Sequence, residues 1–139
     1  MQENGLRPLA GINADYFSFK TGIPMGYTIA DGEIISKEYG GQDAVGFRSD
    51  GTGFIKWLDI QTTVTDGEKS IDVMYINKWC QAGFDPVYLL TDKFGKTTKT
   101  QSECIFVICT PNEGRLHVDE TMSPVSYTHL RAHETGRNL

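Results

Sequence analysis

The sequence predicts an α+β, strand-rich fold of antiparallel hairpins belonging to an incomplete mixed domain. Short apolar runs alternate with turn signals along most of the chain, which is the pattern of strands joined by tight turns. No segment of ten or more residues carries an apolar stripe at helical spacing, so we expect little helix. The unbroken apolar run CIFVIC, which begins at Cys104, predicts a strand that is buried on both faces.

The clearest turn signal is the Asp31-Gly32 pair in TIADGEII. A two-residue type I′ turn needs positive φ at both central positions, and Asp-Gly adopts such angles at low cost. We therefore expect a hairpin centred on this pair. The same alternation predicts two further hairpins, from Ala44–Arg48 with Phe54–Trp57 and from Leu58–Thr65 with Ser70–Asn77.

Length and charge limit the class of protein. A chain of 139 residues holds at most one ordinary domain. With 13 Lys plus Arg against 18 Asp plus Glu, the net charge is −5, and no basic cluster is visible, so we expect no nucleic-acid partner. No apolar run is long enough for a transmembrane segment, and the first residues lack the pattern of a signal peptide.

Both ends of the sequence are unusual. Strand-like sequence begins within ten residues of Met1, as if the chain were entered in the middle of a domain. At the other end, VSYTHLRAHETGRNL at Val125–Leu139 departs from the preceding pattern and resembles the translation of a transposase sequencing adapter. We therefore assign residues 1–124 to the domain fragment and interpret residues 125–139 as a non-native tail that does not form a strand.

Motifs for metals and cofactors are absent from the sequence. His129 and His133 are four residues apart but do not match the H-E-x-x-H order of zinc enzymes, and they lie in the tail. No phosphate-binding loop or nucleophile elbow is present. We expect no metal and no cofactor. Cys104 and Cys109 would face opposite sides of a strand, which predicts buried thiols instead of a disulfide.

The front segment contains the polar residues in the most informative positions. Asn13 and Asp15 alternate with Ile12 and Ala14 at the end of an apparent strand. If the two apolar residues point into the core, Asn13 and Asp15 line a cleft, where an amide and a carboxylate can bind sugar hydroxyls. The alternative is a turn, because Asn and Asp also hydrogen-bond to nearby backbone at strand ends.

Several segments, taken in order, resemble the phosphodiester glycosidase domain, the family of N-acetylglucosamine-1-phosphodiester alpha-N-acetylglucosaminidase. The opening INADYF, then GIPMG and the DGEI turn, is similar to the start of that domain. VGFRSDGTGF is similar to its second hairpin, and MYIN followed by YLLTDKFGKTTKT is similar to a later part. The resemblance runs from about Ala10 to His117 and is nearest to secreted bacterial members.

The resemblance implies a hydrolase that cleaves a sugar from a sugar-phosphodiester such as a GlcNAc-1-phosphodiester, located outside the cell or in the cell envelope. Asn13 is then the first candidate for the catalytic site, where it would orient the sugar or phosphate, and Asp15 is the second. Tyr16 and Phe17 are expected in the core. The later family segments, an Arg-Thr-Ala strand and an Asp-Gly-Gly-Gly-Ser loop, are not in this sequence, so we expect the fragment to be inactive by itself.

The rival hypothesis is a non-catalytic, β-rich glycan-binding module of a cell-surface protein. Such a module would bind sugar rings through exposed aromatic side chains, for which Trp57, Trp79 and Tyr88 are the candidates. For each of these residues, packing in the core is the alternative. The sequence leaves the oligomeric state open under both hypotheses.

Overall fold

The computed structural model describes residues 11–12, 14–80, 86–98, 104–111, 115–119, 121 and 124–132. These residues form ten strands and no helix, so within them there is no helix that could span a membrane. The strands are β1 Thr28–Ala30, β2 Glu33–Ser36, β3 Gln42–Phe47, β4 Gly53–Leu58, β5 Thr63–Thr65, β6 Ser70–Asp72, β7 Tyr75–Ile76, β8 Tyr88–Leu89, β9 Cys104–Pro111 and β10 Pro124–Ala132.

The prediction of a strand-rich fold with antiparallel hairpins is confirmed. Four of the five strand pairs are antiparallel, and the pair of β7 with β8 is parallel. The α part of the predicted α+β class is not confirmed, because the described residues contain no helix. The described part of the protein is therefore mostly β.

The Asp31-Gly32 hairpin forms as predicted. β1 pairs with β2 so that Ala30 lies opposite Glu33, and the two turn residues have φ angles of 53° and 81°. Positive φ at both positions is the type I′ geometry that matches the twist of the flanking strands. The turn was therefore determined by residues that are adjacent in sequence.

The second and third hairpins are also present. β3 pairs with β4 over six residues, and the connecting turn is stabilised by Asp50, whose carboxylate accepts hydrogen bonds from the amide and the hydroxyl of Thr52. β5 pairs with β6 over three residues around Asp66. The predicted strand over residues 70–77 is divided, because β7 separates from β6 and pairs with β8.

The core lies around β2. Ile34 packs with Val73 and Ile76 in a buried cluster. An antiparallel bridge between Lys37 and Ile76 joins the end of β2 to β7, while Leu116 accepts a hydrogen bond from the amide of Ile34 on the same strand. β2 thus holds together segments from distant parts of the sequence.

The prediction for the front segment is wrong. Residues 14–19 form no strand, and the segment contributes only an isolated bridge between Phe17 and Pro24. Tyr16 and Phe17, which were expected in the core, are 83% and 52% exposed. Ile12 and Ala14, whose burial was the condition for a cleft, are exposed as well. The reason is that the chain reverses at once through a turn after Ser18, so no described surface lies over these side chains.

Two expectations for the end of the chain are also wrong. The tail was expected to lack a strand, but β10 pairs antiparallel with β9 from Pro124 to Ala132. A run of β-branched and aromatic residues can form such a ladder whatever its origin. CIFVIC does form a strand, yet Val107 within it is 52% exposed, so the strand is not buried on both faces at that position.

Candidate functional site

A buried lysine lies at the centre of the candidate site. The Nζ atom of Lys78 donates hydrogen bonds to the carbonyl oxygens of Pro24, Met25 and Gly26, at 2.7 Å for Pro24 and 3.2 Å for Gly26. Its side chain is 11% exposed. Three converging carbonyls satisfy all three donors of an ammonium group. Lys78 therefore holds the loop at residues 24–26 against a segment that lies more than fifty residues later.

The backbone at Asn77 ends the strand just before Lys78. Asn77 has a φ of 54°, a left-handed conformation that Asn tolerates better than most residues. Its side chain is fully buried, donates to the Ile35 carbonyl at 2.8 Å and to the Thr91 hydroxyl at 2.9 Å, and accepts from the Thr91 amide at 2.8 Å. Asn77 therefore links β2 to the segment after β8.

Asp15 binds the same loop from the front segment. Its Oδ2 atom accepts a hydrogen bond from the Gly26 amide at 2.7 Å. A Cβ atom at position 26 would lie 2.9 Å from that oxygen and 2.8 Å from Nε2 of Gln42, which is closer than packing allows. Ser36 adds hydrogen bonds from its hydroxyl to the carbonyls of Pro24 and Gly26. The loop is thus fixed from three sides.

Glu38 is the second carboxylate of the site. Its Oε2 atom lies 3.6 Å from Nζ of Lys78, and its side chain is 43% exposed. Burial lowers the pKa of the Lys78 ammonium, and the carboxylates of Glu38 and Asp15 offset part of that decrease. The Lys78 ammonium therefore has one carboxylate, Glu38, within ion-pair distance and a second, Asp15, that acts on it electrostatically, and both carboxylates are accessible to solvent.

A group of three tyrosines begins next to Glu38, which precedes Tyr39 in the sequence and acts electrostatically on Tyr75. The ring of Tyr75 is stacked on that of Tyr88 with centroids 5.1 Å apart and an interplanar angle of 19°, and Tyr39 is tilted against Tyr75 at 6.4 Å. Tyr39 is 65% exposed. We name this group the tyrosine row, consisting of Tyr39, Tyr75 and Tyr88. It places aromatic surface next to the accessible carboxylate.

A shallow depression lies on the other side of Asp15. It has a volume of about 320 Å³ and is lined by Ile12, Ala14, Asp15, Tyr16, Phe17 and Phe19. Asp15 therefore belongs both to the wall of this depression and to the support of the loop at residues 24–26. The carboxylate binds backbone eleven residues away, which differs from the local bond of the turn alternative, and the role of Asp15 in a substrate cleft stays a prediction.

Of the two predicted site residues, the structure describes one. Asn13 lies outside the described residues, so its role stays a prediction. Asp15 is next to the loop, and its catalytic role likewise stays a prediction. Glu38 and Lys78 were missed, because nothing in the local sequence distinguishes them from surface charges. The only available signal was the nearness of Lys78 to the MYIN segment.

The aromatic residues of the rival hypothesis lie in different surroundings. Trp57 is 60% exposed, with its ring over Gly41, where a Cβ atom would lie 2.6 Å away. Trp79 is half-buried, and the ammonium of Lys20 lies 5.8 Å from its ring centroid. Tyr88 belongs to the tyrosine row. The three residues therefore have different immediate neighbours: Gly41, Lys20 and Tyr75.

A metal ion would need a cluster of ligating side chains. Among the described residues, no group of three His, Cys, Asp or Glu side chains is close enough to hold a metal ion. The three carbonyls of the loop at residues 24–26 already bind the ammonium of Lys78. The titratable groups close to the loop at residues 24–26 are thus the carboxylates of Asp15 and Glu38 and the amine of Lys78.

Comparison of the chain with known protein families, curated proteins and solved structures found no match.

Proposed function

We propose that this chain forms one wall of the substrate cleft in a glycosidase that hydrolyses sugar-phosphodiester linkages of the GlcNAc-1-phosphodiester kind. The observation that carries the proposal is the Lys78 ammonium, which lies 3.6 Å from the Glu38 carboxylate and also interacts electrostatically with Asp15. Two carboxylates and one ammonium leave a net charge of −1 at the site, where glycoside cleavage develops positive charge on the sugar ring.

Glu38 is suited to contact the sugar. Its side chain is 43% exposed, and glycoside hydrolysis ordinarily uses carboxylates as nucleophile, base or acid beside the scissile bond. A phosphate is a good leaving group and needs little protonation. The carboxylate of Asp15 accepts a hydrogen bond from the Gly26 amide, so we assign Asp15 the role of fixing the shape of the site. Asn13 remains the candidate for orienting the sugar or phosphate.

The contacts among the resembling segments also support the proposal. GIPMG contributes the loop at residues 24–26, INADYF contributes Asp15, and the Ile-Asn pair precedes Lys78. Segments that resemble one family and lie far apart in sequence therefore meet at one loop. Such convergence is expected of residues that build a common site, although a shared core would also bring them together.

The test is hydrolysis of the methyl phosphodiester of N-acetylglucosamine, followed by chromatography of the released sugar. We expect no turnover by this chain and turnover by a longer protein that includes the Arg-Thr-Ala and Asp-Gly-Gly-Gly-Ser segments. In the longer protein, Glu38→Gln should lower kcat by about 10²- to 10⁴-fold. Glu68→Gln, at an exposed turn position, is the matched control and should leave kcat unchanged.

Two results would contradict the proposal. Turnover by the short chain would show that the missing segments are not needed, and no turnover by the longer protein would remove the glycosidase assignment. Full activity of Glu38→Gln would exclude Glu38 from the chemistry while leaving the enzyme class intact.

The alternative function, a glycan-binding module, is favoured by one observation. Trp57 presents an exposed ring in a row with Val45 and Ile55 on the same face of the β3–β4 hairpin, and exposed aromatic surface of this kind is a common sugar-binding surface. Under this alternative, Trp57→Ala would abolish glycan binding. Under the proposed function, the same substitution would leave phosphodiester hydrolysis by the longer protein unchanged.

A further inference from the structure

We propose that the tyrosine row and Glu38 form a subsite that binds the neutral pyranose ring of a ligand and excludes its phosphate. This inference rests on the proposed function, from which it takes the class of ligand, a sugar-phosphodiester. It assigns the sugar half of a sugar-phosphodiester to one surface of the chain. The residues are Tyr39, Tyr75, Tyr88 and Glu38.

Strand register explains why these side chains are neighbours. The antiparallel bridge between Lys37 and Ile76 sets Glu38 beside Tyr75 in the next register position. The parallel pairing of β7 with β8 sets Tyr75 opposite Tyr88. Paired residues on adjacent strands point to the same face. Glu38, two residues beyond the end of β2, therefore lies in line with Tyr75 on β7 and Tyr88 on β8.

The row lies on the face away from the core. Ile76 is completely buried in the apolar cluster, and successive residues of a strand point to opposite faces, so Tyr75 points away from that cluster. Tyr75 and Tyr88 are half-buried and Tyr39 is 65% exposed. The rings thus contribute little to the core and offer aromatic surface at the exterior.

The chemistry of the row matches a pyranose ring. The apolar C–H face of a sugar packs on an aromatic ring, while phenolic hydroxyls and a carboxylate bind its hydroxyl groups. Burial first and the nearby Glu38 second raise the pKa of the Tyr75 hydroxyl, so this group remains a hydrogen-bond donor at neutral pH. The row offers both kinds of contact within one surface.

A phosphate group does not match the same surface. The accessible charge next to the row is the carboxylate of Glu38, which repels an anion. The Lys78 ammonium cannot turn toward a phosphate without leaving three carbonyl oxygens. The subsite therefore selects for the uncharged part of the ligand.

The experiment is a titration of this chain with N-acetylglucosamine, followed by saturation-transfer NMR and by shifts of the tyrosine ring signals. We expect ring protons of the sugar to receive saturation and the signals of Tyr39 and Tyr75 to move. Tyr39→Ala should weaken binding by about three- to tenfold. Phe47→Ala removes another exposed aromatic side chain, 79% exposed on β3, and should leave binding unchanged.

Two further arms make the result decisive. Tyr75→Phe keeps the ring and removes the hydroxyl, so it separates stacking from hydrogen bonding while preserving the fold. Inorganic phosphate should neither shift the tyrosine signals nor displace the sugar. Unchanged affinity in Tyr39→Ala, displacement by phosphate, or no sugar binding by the chain would each overturn the proposal.

Failure of this inference is distinguishable from failure of the proposed function. Sugar binding that depends on Tyr39, together with no hydrolysis by the longer protein, would support the subsite and contradict the glycosidase. Hydrolysis by the longer protein with no effect of Tyr39→Ala on its KM would support the glycosidase and contradict the subsite.

Discussion

At the residue scale, Asn77 has more structural tasks than any other described side chain of the site. It occupies a left-handed φ, is fully buried, and makes three hydrogen bonds through its amide group. Asn combines tolerance of positive φ with two donors and an acceptor on a short side chain. No other residue type supplies all of these properties in the same volume.

Substitution of Asn77 separates its backbone role from its side-chain role. Asn77→Ala leaves the Ile35 carbonyl and the Thr91 amide without partners and keeps the unfavourable φ, so we expect a loss of about 2–4 kcal/mol in local stability. Asn77→Gly loses the same bonds but tolerates the φ, and should be about 1 kcal/mol less destabilising. Amide exchange of Thr91 and Asn77 measures both effects. Equal protection in the two variants would contradict the backbone role.

The two buried lysines show how similar side chains are used on opposite sides of β2. Lys37 is 5% exposed, and its Nζ atom donates to the carbonyls of Val73 at 2.7 Å and Met74 at 3.2 Å. Burial lowers its pKa, and Asp59 and Asp72 offset part of the change. Lys78 is bound by carbonyls in the same way but lies beside an accessible carboxylate. Lys78 therefore differs from Lys37 by its ion pair with Glu38.

At the element scale, the β1–β2 hairpin positions a charged cluster as well as the core. Glu33 is buried on β2, with ion pairs to Lys93 at 3.6 Å and Arg115 at 3.7 Å. The backbone of His117 forms an isolated antiparallel β-bridge with Glu33. A Cβ atom added to Gly32 would lie 3.2 Å from Nδ1 of His117. The tight turn therefore also determines how closely the segment at residues 115–118 approaches the β1–β2 hairpin.

This contact predicts different effects for two glycine substitutions. Gly32→Ala places an alanine at a φ of 81° and presses on His117, while Gly51→Ala at a φ of 85° meets no atom within 4 Å. The unfavourable backbone conformation should lower the free energy of unfolding by about 1–2 kcal/mol in both variants. The contact with His117 should lower it further in Gly32→Ala. Exchange of the Ile34 amide should rise in Gly32→Ala, and exchange of the Arg48 amide should rise in Gly51→Ala.

The His117 ring signals provide the control for that comparison. They should shift in Gly32→Ala and stay in place in Gly51→Ala, because only the first substitution contacts the imidazole. Identical spectra of His117 in both variants would show that the segment at residues 115–118 is not held against the turn.

At the scale of the whole molecule, apolar surface is distributed unusually. Within the described residues, five hydrophobic side chains are buried and sixteen large ones are exposed. One exposed group covers a single face of the β3–β4 hairpin and consists of Val45, Phe47, Ile55 and Trp57. A small core with short strand pairs gives weak cooperativity, since few contacts link one hairpin to the next.

We therefore expect this chain to bind a hydrophobic dye strongly and to unfold over a broad temperature range. Dye fluorescence and circular dichroism during heating measure the two properties. Ile55→Thr should reduce dye binding and leave the midpoint of unfolding unchanged, because Ile55 is 77% exposed. A sharp cooperative transition without dye binding would contradict this account of the core.

The sequence by itself determined the features that depend on neighbouring residues. Asp31-Gly32 produced the predicted hairpin, and Asp50 and Asp66 produced the predicted turns. The alternating apolar pattern located most of the strands and indicated little helix. These features follow from backbone angles and from hydrogen bonds over two or three residues, which are the same in any surrounding structure.

Only the tertiary structure decided which residues are buried and which meet at the site. The front segment has the alternation of a strand, yet Tyr16 and Phe17 are exposed, because burial requires an opposing surface that sequence pattern does not reveal. Lys78 reaches Pro24 across more than fifty residues, and Glu38 meets Tyr75 through the register of the Lys37–Ile76 bridge. Long-range register thus selected the partners, since a lysine or a glutamate carries no local signal of the group that it will contact.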